Sequence, residues 1–496
     1  MKVNLFIKNA VILAVTGLIL RLAGVLFKVW LADTVKSEGI GLYSLVFSVY
    51  MLASTFATAG VSTAVTRLVA EEEHNGRKAI YSVMRKAVLI TLGVATVTTA
   101  LIFFFAEPIS IYILKDRRTV LALKILSFSL PFMGLSSCAR GYFIARRKTV
   151  QPSLVQLLEQ AVRIGVTVTT VLNFADKGIT YTAAAVLLGD TVAEFVSFTV
   201  NWLLYRRDVR TLPNGAKTDG ILKRILHIAL PITGSSYLSS ALHTTENILV
   251  PLRLTRFYGE HARGLELFGA VRGMALPLLF FPASFLTSLS TMLIPEVSEA
   301  KALGNTLKIR NTVSYAVKTT LILSTLIACG FMFNSEDLAL AVYGDRDVGQ
   351  TILILSPIVP LMYLESVTAG LLKGLDQQMN MLRFNLFDSA VRIVSVFVLL
   401  PMFGIKAYLG IVIVSNCFTS CLSARCLFKA TDTSPDLLHW ALLPLTVGII
   451  GGFTAKLLTR NIGSLLLRLI IALGFQGILS ITYWFYSCKE KGRVIK

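Results

Sequence analysis

The sequence predicts an all-α polytopic membrane protein of about fourteen spanning helices, built as two related six-helix lobes followed by two further helices. Three observations predict it. Of 496 residues, 54% are hydrophobic and only 15% charged, whereas a soluble chain carries about 25% charge to solvate its surface. Fourteen apolar runs follow one another, each near the roughly 20 residues that a bilayer core requires. Part of the first half recurs, in register, in the second.

The runs lie near 8–32, 40–70, 84–106, 119–146, 151–173, 180–205, 221–252, 265–295, 312–333, 350–373, 380–402, 405–429, 436–458 and 463–487. Run 1 is too long for a signal-peptide core and no small-residue cleavage site follows it, so it is expected to remain as a spanning helix. Run 7 carries a polar face of Ser235, Ser236, Ser239, Ser240, His243, Thr244 and Glu246, with Pro231 and Gly234 where a helix can bend. Against lipid such a face is costly, so it is expected to line a hydrated cavity. Run 8 holds Pro277, Pro282 and Pro295, which favour bending over straight packing. No gap between runs is long enough for a soluble domain.

Net charge is +20 and mean hydropathy +0.70. In a soluble protein so basic a balance points to nucleic acid; here the Lys and Arg residues fall mostly in the gaps between runs. At one set of run ends there are about 26, at the opposite set about 12. The positive-inside rule accounts for this without a nucleic-acid partner and places both termini in the cytoplasm, with the chain multi-pass in the inner (cytoplasmic) membrane.

Residues Ile125–Ile164 align without gaps on Ile354–Ile393 at an offset of 229, with 13 of 40 positions identical. Pro131 meets Pro360, Gly141 meets Gly370, and Ala161-Val162-Arg163-Ile164 meets Ala390-Val391-Arg392-Ile393. An offset of 228 carries the match upstream, where Ser62-Thr63, Glu71 and Gly76 meet Ser290-Thr291, Glu299 and Gly304. The expected domains are an N-terminal lobe 1–210, a C-terminal lobe 211–432, and two added helices with a tail at 433–496. Parallel repeats related by an axis along the membrane normal are a transporter architecture, in which two bundles rock about a central cavity.

Ionisable residues inside a span cost roughly 2.5–3.5 kcal/mol on insertion scales and each is a functional hypothesis. Glu159 and Arg163, and Asp388 and Arg392, stand four apart, so each pair shares a helix face at ion-pair distance; scaffold and site are equally open readings of them. Arg21 and Arg272 have no acid within one turn. A guanidinium without a local partner fits a phosphate bidentately. Arg21, Arg140, Arg163, Arg272 and Arg392 are therefore candidates for an anion-binding cavity, and Glu159, Ser239, His243, Glu246 and Asp388 for its polar or coupling groups.

No P-loop, HExxH or GxSxG motif is present, so an enzyme is not expected, nor a metal or organic cofactor. Energy would come from gradients or membrane potential, with a proton or sodium ion open as coupling ion. Cys417, Cys421 and Cys426 sit in an apolar run and read, like the other cysteines, as packing residues.

The segments GLYSLVFSVYMLASTFATAGVSTAVTRLVAEE from Gly41, RGYFIARRKTVQPSLVQLLEQAVRI from Arg140 and GMALPLLFFPASFLTSLSTMLIPEVSEA from Gly273 resemble the polysaccharide-transporter branch of the multidrug/oligosaccharidyl-lipid/polysaccharide exporter superfamily, which includes the lipid II flippases. The similarity runs over essentially the whole chain. It implies two six-helix lobes plus two helices, and export of an undecaprenyl-pyrophosphate-linked saccharide, a peptidoglycan precursor for the spore cortex. In lipid II flippases arginines of helices 1, 2 and 8 face a cationic cavity; Arg21 and Arg272 match the first and last, whereas run 2 has only Arg67, near its end. In that family the last two helices form a groove for the lipid tail, and the apolar 436–487 segment is compatible with it. The implied partners are the lipid-linked saccharide, membrane lipid and cell-wall synthases, around a monomer. Two other readings stay open: a cation-coupled exporter of the multidrug and toxin extrusion type, whose cavity should be acidic, and a non-transporting scaffold for cell-wall synthesis.

Overall fold

A computed structural model describes residues 2–58, 60–148, 150–174, 178–215, 220–283, 286, 293, 296–298, 300–301 and 303–492; the side chains of 2–14, 18, 21, 25, 74, 231 and 485–492 lie outside the description. Among the described residues every element is helical, and eleven helices are long and apolar enough to cross a membrane. The eleven are fewer than the fourteen runs because the first continuous helix holds two of them, and because neither run 5, the helix Val150–Phe174, nor run 8, much of which lies outside the described residues, is among them. A break at Lys36, where φ is 61°, divides it.

The chain packs as two compact units, residues Met1–Phe27 with Thr34–Thr255, and Lys28–Asp33 with Arg256–Lys496. Unit 1 comprises most of α1 (Lys2–Thr58), α2 (Val61–Glu72), α3 (Arg77–Phe104), α4 (Thr119–Ser127), α5 (Ser129–Ala145), α6 (Val150–Phe174), α7 (Ile179–Arg210) and most of α8 (Ile221–Tyr258). Its core gathers Val65, Leu68, Ile80, Met84, Tyr142 and Tyr205 from α2, α3, α5 and α7. The packing boundary at Thr255 falls later than residue 210 because α8 lies along α1. There Thr244 Oγ1 donates to the Ser48 carbonyl at 2.9 Å, and the rings of Tyr237 and Phe56 stand 4.1 Å apart.

Unit 2 contains α9 (His261–Phe268), a π-helical stretch Gly269–Ala275, α10 (Leu276–Phe280), α11 (Thr306–Tyr343), α12 (Arg346–Leu355), α13 (Val359–Gly374), α14 (Gln378–Phe403), α15 (Ile405–Thr431), α16 (Leu443–Thr459) and α17 (Leu465–Gly492). Its hub is α11, against which α12, α13, α16 and α17 all pack. The added helices are thus integral to this unit. A Cβ on Gly448 of α16 would stand 2.6 Å from Cys329 Sγ of α11, and Gln476 of α17 donates to the carbonyls of Leu326 and Gly448. Small residues permit such close backbone approach where lipid offers no hydrophobic drive.

The repeat is carried by backbone landmarks well beyond the 40 aligned positions. Helices α3 and α11 begin at Arg77 and Thr306, and α6 and α14 end at Phe174 and Phe403, each pair 229 apart. The left-handed residues Lys115 (φ 58°) and Gly344 (φ 66°) obey the same spacing, as do Arg147 (φ 58°) and Asp376 (φ 59°). The turns at the second pair also match: Lys148 N donates to Phe143 O and Gln377 N to Leu372 O, both at 2.9 Å. Gly76 and Gly304, at offset 228, both have positive φ. The upstream matches at Ser290-Thr291 and Glu299 lie outside the described residues.

Candidate functional site

In unit 1 the polar centre is assembled on α6 and α7. Glu159 and Arg163 share a face of α6 as their spacing requires, Arg163 Nη2 standing 2.9 Å from Glu159. Two further acids, Asp190 and Glu194, share a face of α7 and approach the same guanidinium, at 2.7 Å from Nε and 3.9 Å from Nη2. Gly189 permits this: a Cβ there would lie 2.0 Å from Thr167 Oγ1 and 3.1 Å from the Arg163 carbonyl oxygen, so only glycine lets α7 come this near α6.

All three acids are buried, and one oxygen of each, Glu159 Oε2, Asp190 Oδ2 and Glu194 Oε2, accepts no hydrogen bond. Half-buried Arg140 on α5 lies within electrostatic reach of Glu194 and forms no ion pair among the described residues. Tyr50 of α1 borders the cluster, its hydroxyl accepting from Ser129 Oγ at 2.9 Å. Three carboxylates against Arg163 and Arg140 make this cluster net acidic. Arg163 is thus surrounded by acids from two helices. Asp190 and Glu194 are visible as intramembrane acids, but their helix lies 27 to 31 residues further along and no local period ties them to Arg163.

In unit 2 the equivalent pair is looser. Arg392 Nη1 stands 3.9 Å from Asp388 Oδ2 on α14, and Ser415 Oγ of α15 lies 2.7 and 2.8 Å from the two Asp388 oxygens. Glu365 of α13 lies within electrostatic reach of both. Asp388, Arg392 and Ser415 are the polar end of an otherwise apolar cavity of about 390 Å³ between α14 and α15. Arg392, too, is a partnered residue.

Arg272 differs. It sits half-buried in the π-helical stretch Gly269–Ala275, a backbone form that recurs at functional sites. It forms no ion pair among the described residues, and another cation, Lys28, lies within its electrostatic reach. Lys28 stands in the sequence as a neighbour of Arg21 and nothing in its spacing links it to Arg272. Arg21 lies on the α1 backbone, and its side chain is outside the described residues. On α8, Ser239 is half-buried, His243 exposed and Glu246 buried, the last two both partnered. Part of the polar face is spent on packing, since Ser240 and Thr55 share a hydrogen bond of 3.1 Å.

Among the described residues no group of three or more His, Cys, Asp or Glu side chains is arranged to hold a metal ion. The described residues form an all-helical, many-span membrane protein with charges buried within its spans. The chain belongs to the polysaccharide biosynthesis protein family, whose model matches residues 6–301. It is 25% identical over 469 residues to stage V sporulation protein B of Bacillus subtilis (strain 168), covering 92% of this chain and 90% of the relative. Among solved structures, the lipid II flippase MurJ in an inward closed conformation is similar with a TM-score of 0.69 at 13% identity, over 95% of this chain and 98% of that one. An inward-facing multidrug resistance MATE family transporter of the MOP superfamily has a TM-score of 0.63 at 15% identity, over 85% of this chain and 100% of that one. The fold is that of this superfamily.

Proposed function

We propose that the protein is a flippase that carries an undecaprenyl-pyrophosphate-linked saccharide, a peptidoglycan precursor for the spore cortex, from the cytoplasmic to the outer leaflet by alternating access. The observation that carries this reading is the Arg272–Lys28 pair of cations, neither of which forms an ion pair among the described residues. Two positive charges at that depth are costly unless an anion joins them, and a pyrophosphate supplies it with bidentate acceptors. The resemblance to a lipid II flippase over 95% of the chain supports the same class of cargo. Arg21 and Arg140 are further candidates for holding the pyrophosphate, and Ser239 and His243 on α8 for holding the sugar.

The moving parts in this reading are the repeat lobes, 1–210 and 211–432, with 433–496 beside the lipid tail, both termini in the cytoplasm and a single chain as the working unit. The three-carboxylate cluster of Glu159, Asp190 and Glu194, with Glu246 and Asp388, is where a proton or sodium ion would couple. That same acidic cluster favours a second reading, a cation-coupled exporter of cationic compounds.

The experiment is transport of a fluorescent lipid-linked saccharide by the full chain in proteoliposomes. Arg272→Ala with Lys28→Ala should abolish it at unchanged protein incorporation. Full transport by that variant would remove the anion site, and transport of an organic cation in place of the lipid would favour the exporter.

A further inference from the structure

At the end of unit 1 where α3 begins, a cavity of about 610 Å³ is lined by Arg77, Lys78, Arg85 and Lys86 together with Tyr81 and Ser82. Spacings of four and eight residues put these side chains on one face of α3 over its first turns. None of the four cations forms an ion pair among the described residues. The acids at this end are already engaged. Glu71 pairs with Arg67 and Arg224, Glu72 with Arg224, Glu73 with Arg146, and Asp208 with Arg146 and Lys148.

Ser82 supplies a second, independent observation. It is 9% exposed and lines the cavity, and its hydroxyl makes no hydrogen bond among the described residues, so it is available to a group bound there.

We propose that this cavity binds the phosphate headgroup of an anionic phospholipid. The guanidinium forks of Arg77 and Arg85 suit phosphate oxygens, Lys78 and Lys86 add charge, and the Ser82 hydroxyl donates. What favours a lipid over a soluble oxyanion is the surface that continues from the cavity. Leu89 closes it, and Leu92, one turn further along the same face, is exposed as well, so apolar surface on which an acyl chain can lie adjoins the charged groups. Tyr81 is 56% exposed, at the headgroup level where amphipathic rings sit. Basic pockets beside spanning helices recognise such headgroups. Topology alone calls for positive charge at this end, but not for its collection around a cavity that also presents an unengaged hydroxyl. The inference is independent of what the protein transports.

The test uses the full chain in phosphatidylcholine nanodiscs, titrated with fluorescent phosphatidylglycerol. The variant R77Q/K78Q/R85Q/K86Q should lose at least about tenfold in phosphatidylglycerol affinity, and R206Q/R207Q/R210Q, which strips exposed charge from the same end outside the cavity, should stay within about twofold. Equal losses in the two variants would mean diffuse surface attraction and overturn the site. Ser82→Ala changes no charge and cannot alter topology; it should weaken phosphatidylglycerol binding severalfold while phosphatidylcholine contact is unmoved, and an unchanged affinity would count against the site. Inorganic pyrophosphate at millimolar concentration should not displace the lipid; displacement would make the site one for a free oxyanion.

Discussion

Arg163 Nε stands 2.7 Å from Asp190 Oδ1, an ion pair between α6 and α7 that joins the two helices at the centre of unit 1. Glu159 and Glu194 complete its surroundings. One guanidinium therefore holds three acids, and removing it leaves buried Glu159 and Asp190 without their ion-pair partner.

Arg163→Ala is expected to destabilise the protein by about 3–5 kcal/mol, the usual cost of breaking a buried pair from one side. Thermal unfolding in detergent measures it. Glu194→Gln, whose carboxylate lies at 3.9 Å, should cost much less, and equal losses for the two variants would contradict the arrangement.

Gly189→Val places a Cβ against Thr167 Oγ1 and pushes α7 from α6. Overpacking of this kind costs about 1–3 kcal/mol. The displacement also lengthens the Arg163–Asp190 contact, so a second substitution, Asp190→Asn, should cost less in the Gly189→Val background than in the parent. Simple additivity in a double-mutant cycle would show that the glycine does not position that pair.

Arg272 and Lys28 take no part in an ion pair among the described residues. Arg272→Lys keeps the charge and loses the planar fork, so transport of a lipid-linked pyrophosphate should fall at least about tenfold while the unfolding midpoint stays within a degree or two, since no stabilising contact is lost. Parallel losses of stability and transport would make Arg272 structural.

Gly452→Leu drives a side chain into Phe333, whose Cδ2 lies 2.2 Å from the position a Cβ would take. The expected result is loosening of α16 from α11, read as faster amide exchange in 443–459 and along α11, with a loss of about 1–3 kcal/mol. Protection unchanged from the parent would mean that α16 is held from elsewhere.

Much of the architecture was legible before any coordinates. The apolar runs correspond to helices because backbone polar groups inside lipid must satisfy themselves within one segment. The spacing of 229, seen in 40 residues, reappears as matched breaks and left-handed turns such as Arg147 and Asp376, because equivalent sequence meets equivalent local demands. The pairs Glu159–Arg163 and Asp388–Arg392 followed from the helical period. Tertiary structure decided the rest: that Asp190 and Glu194 close on Arg163, that Lys28 comes within electrostatic reach of Arg272, that α8 lies on α1, and that the last two helices pack on α11. The physical reason is range. Neighbours four residues apart are set by the rise and turn of one helix, whereas neighbours across two helices depend on where a glycine such as Gly189 lets the backbones meet, and no period in the sequence encodes that meeting.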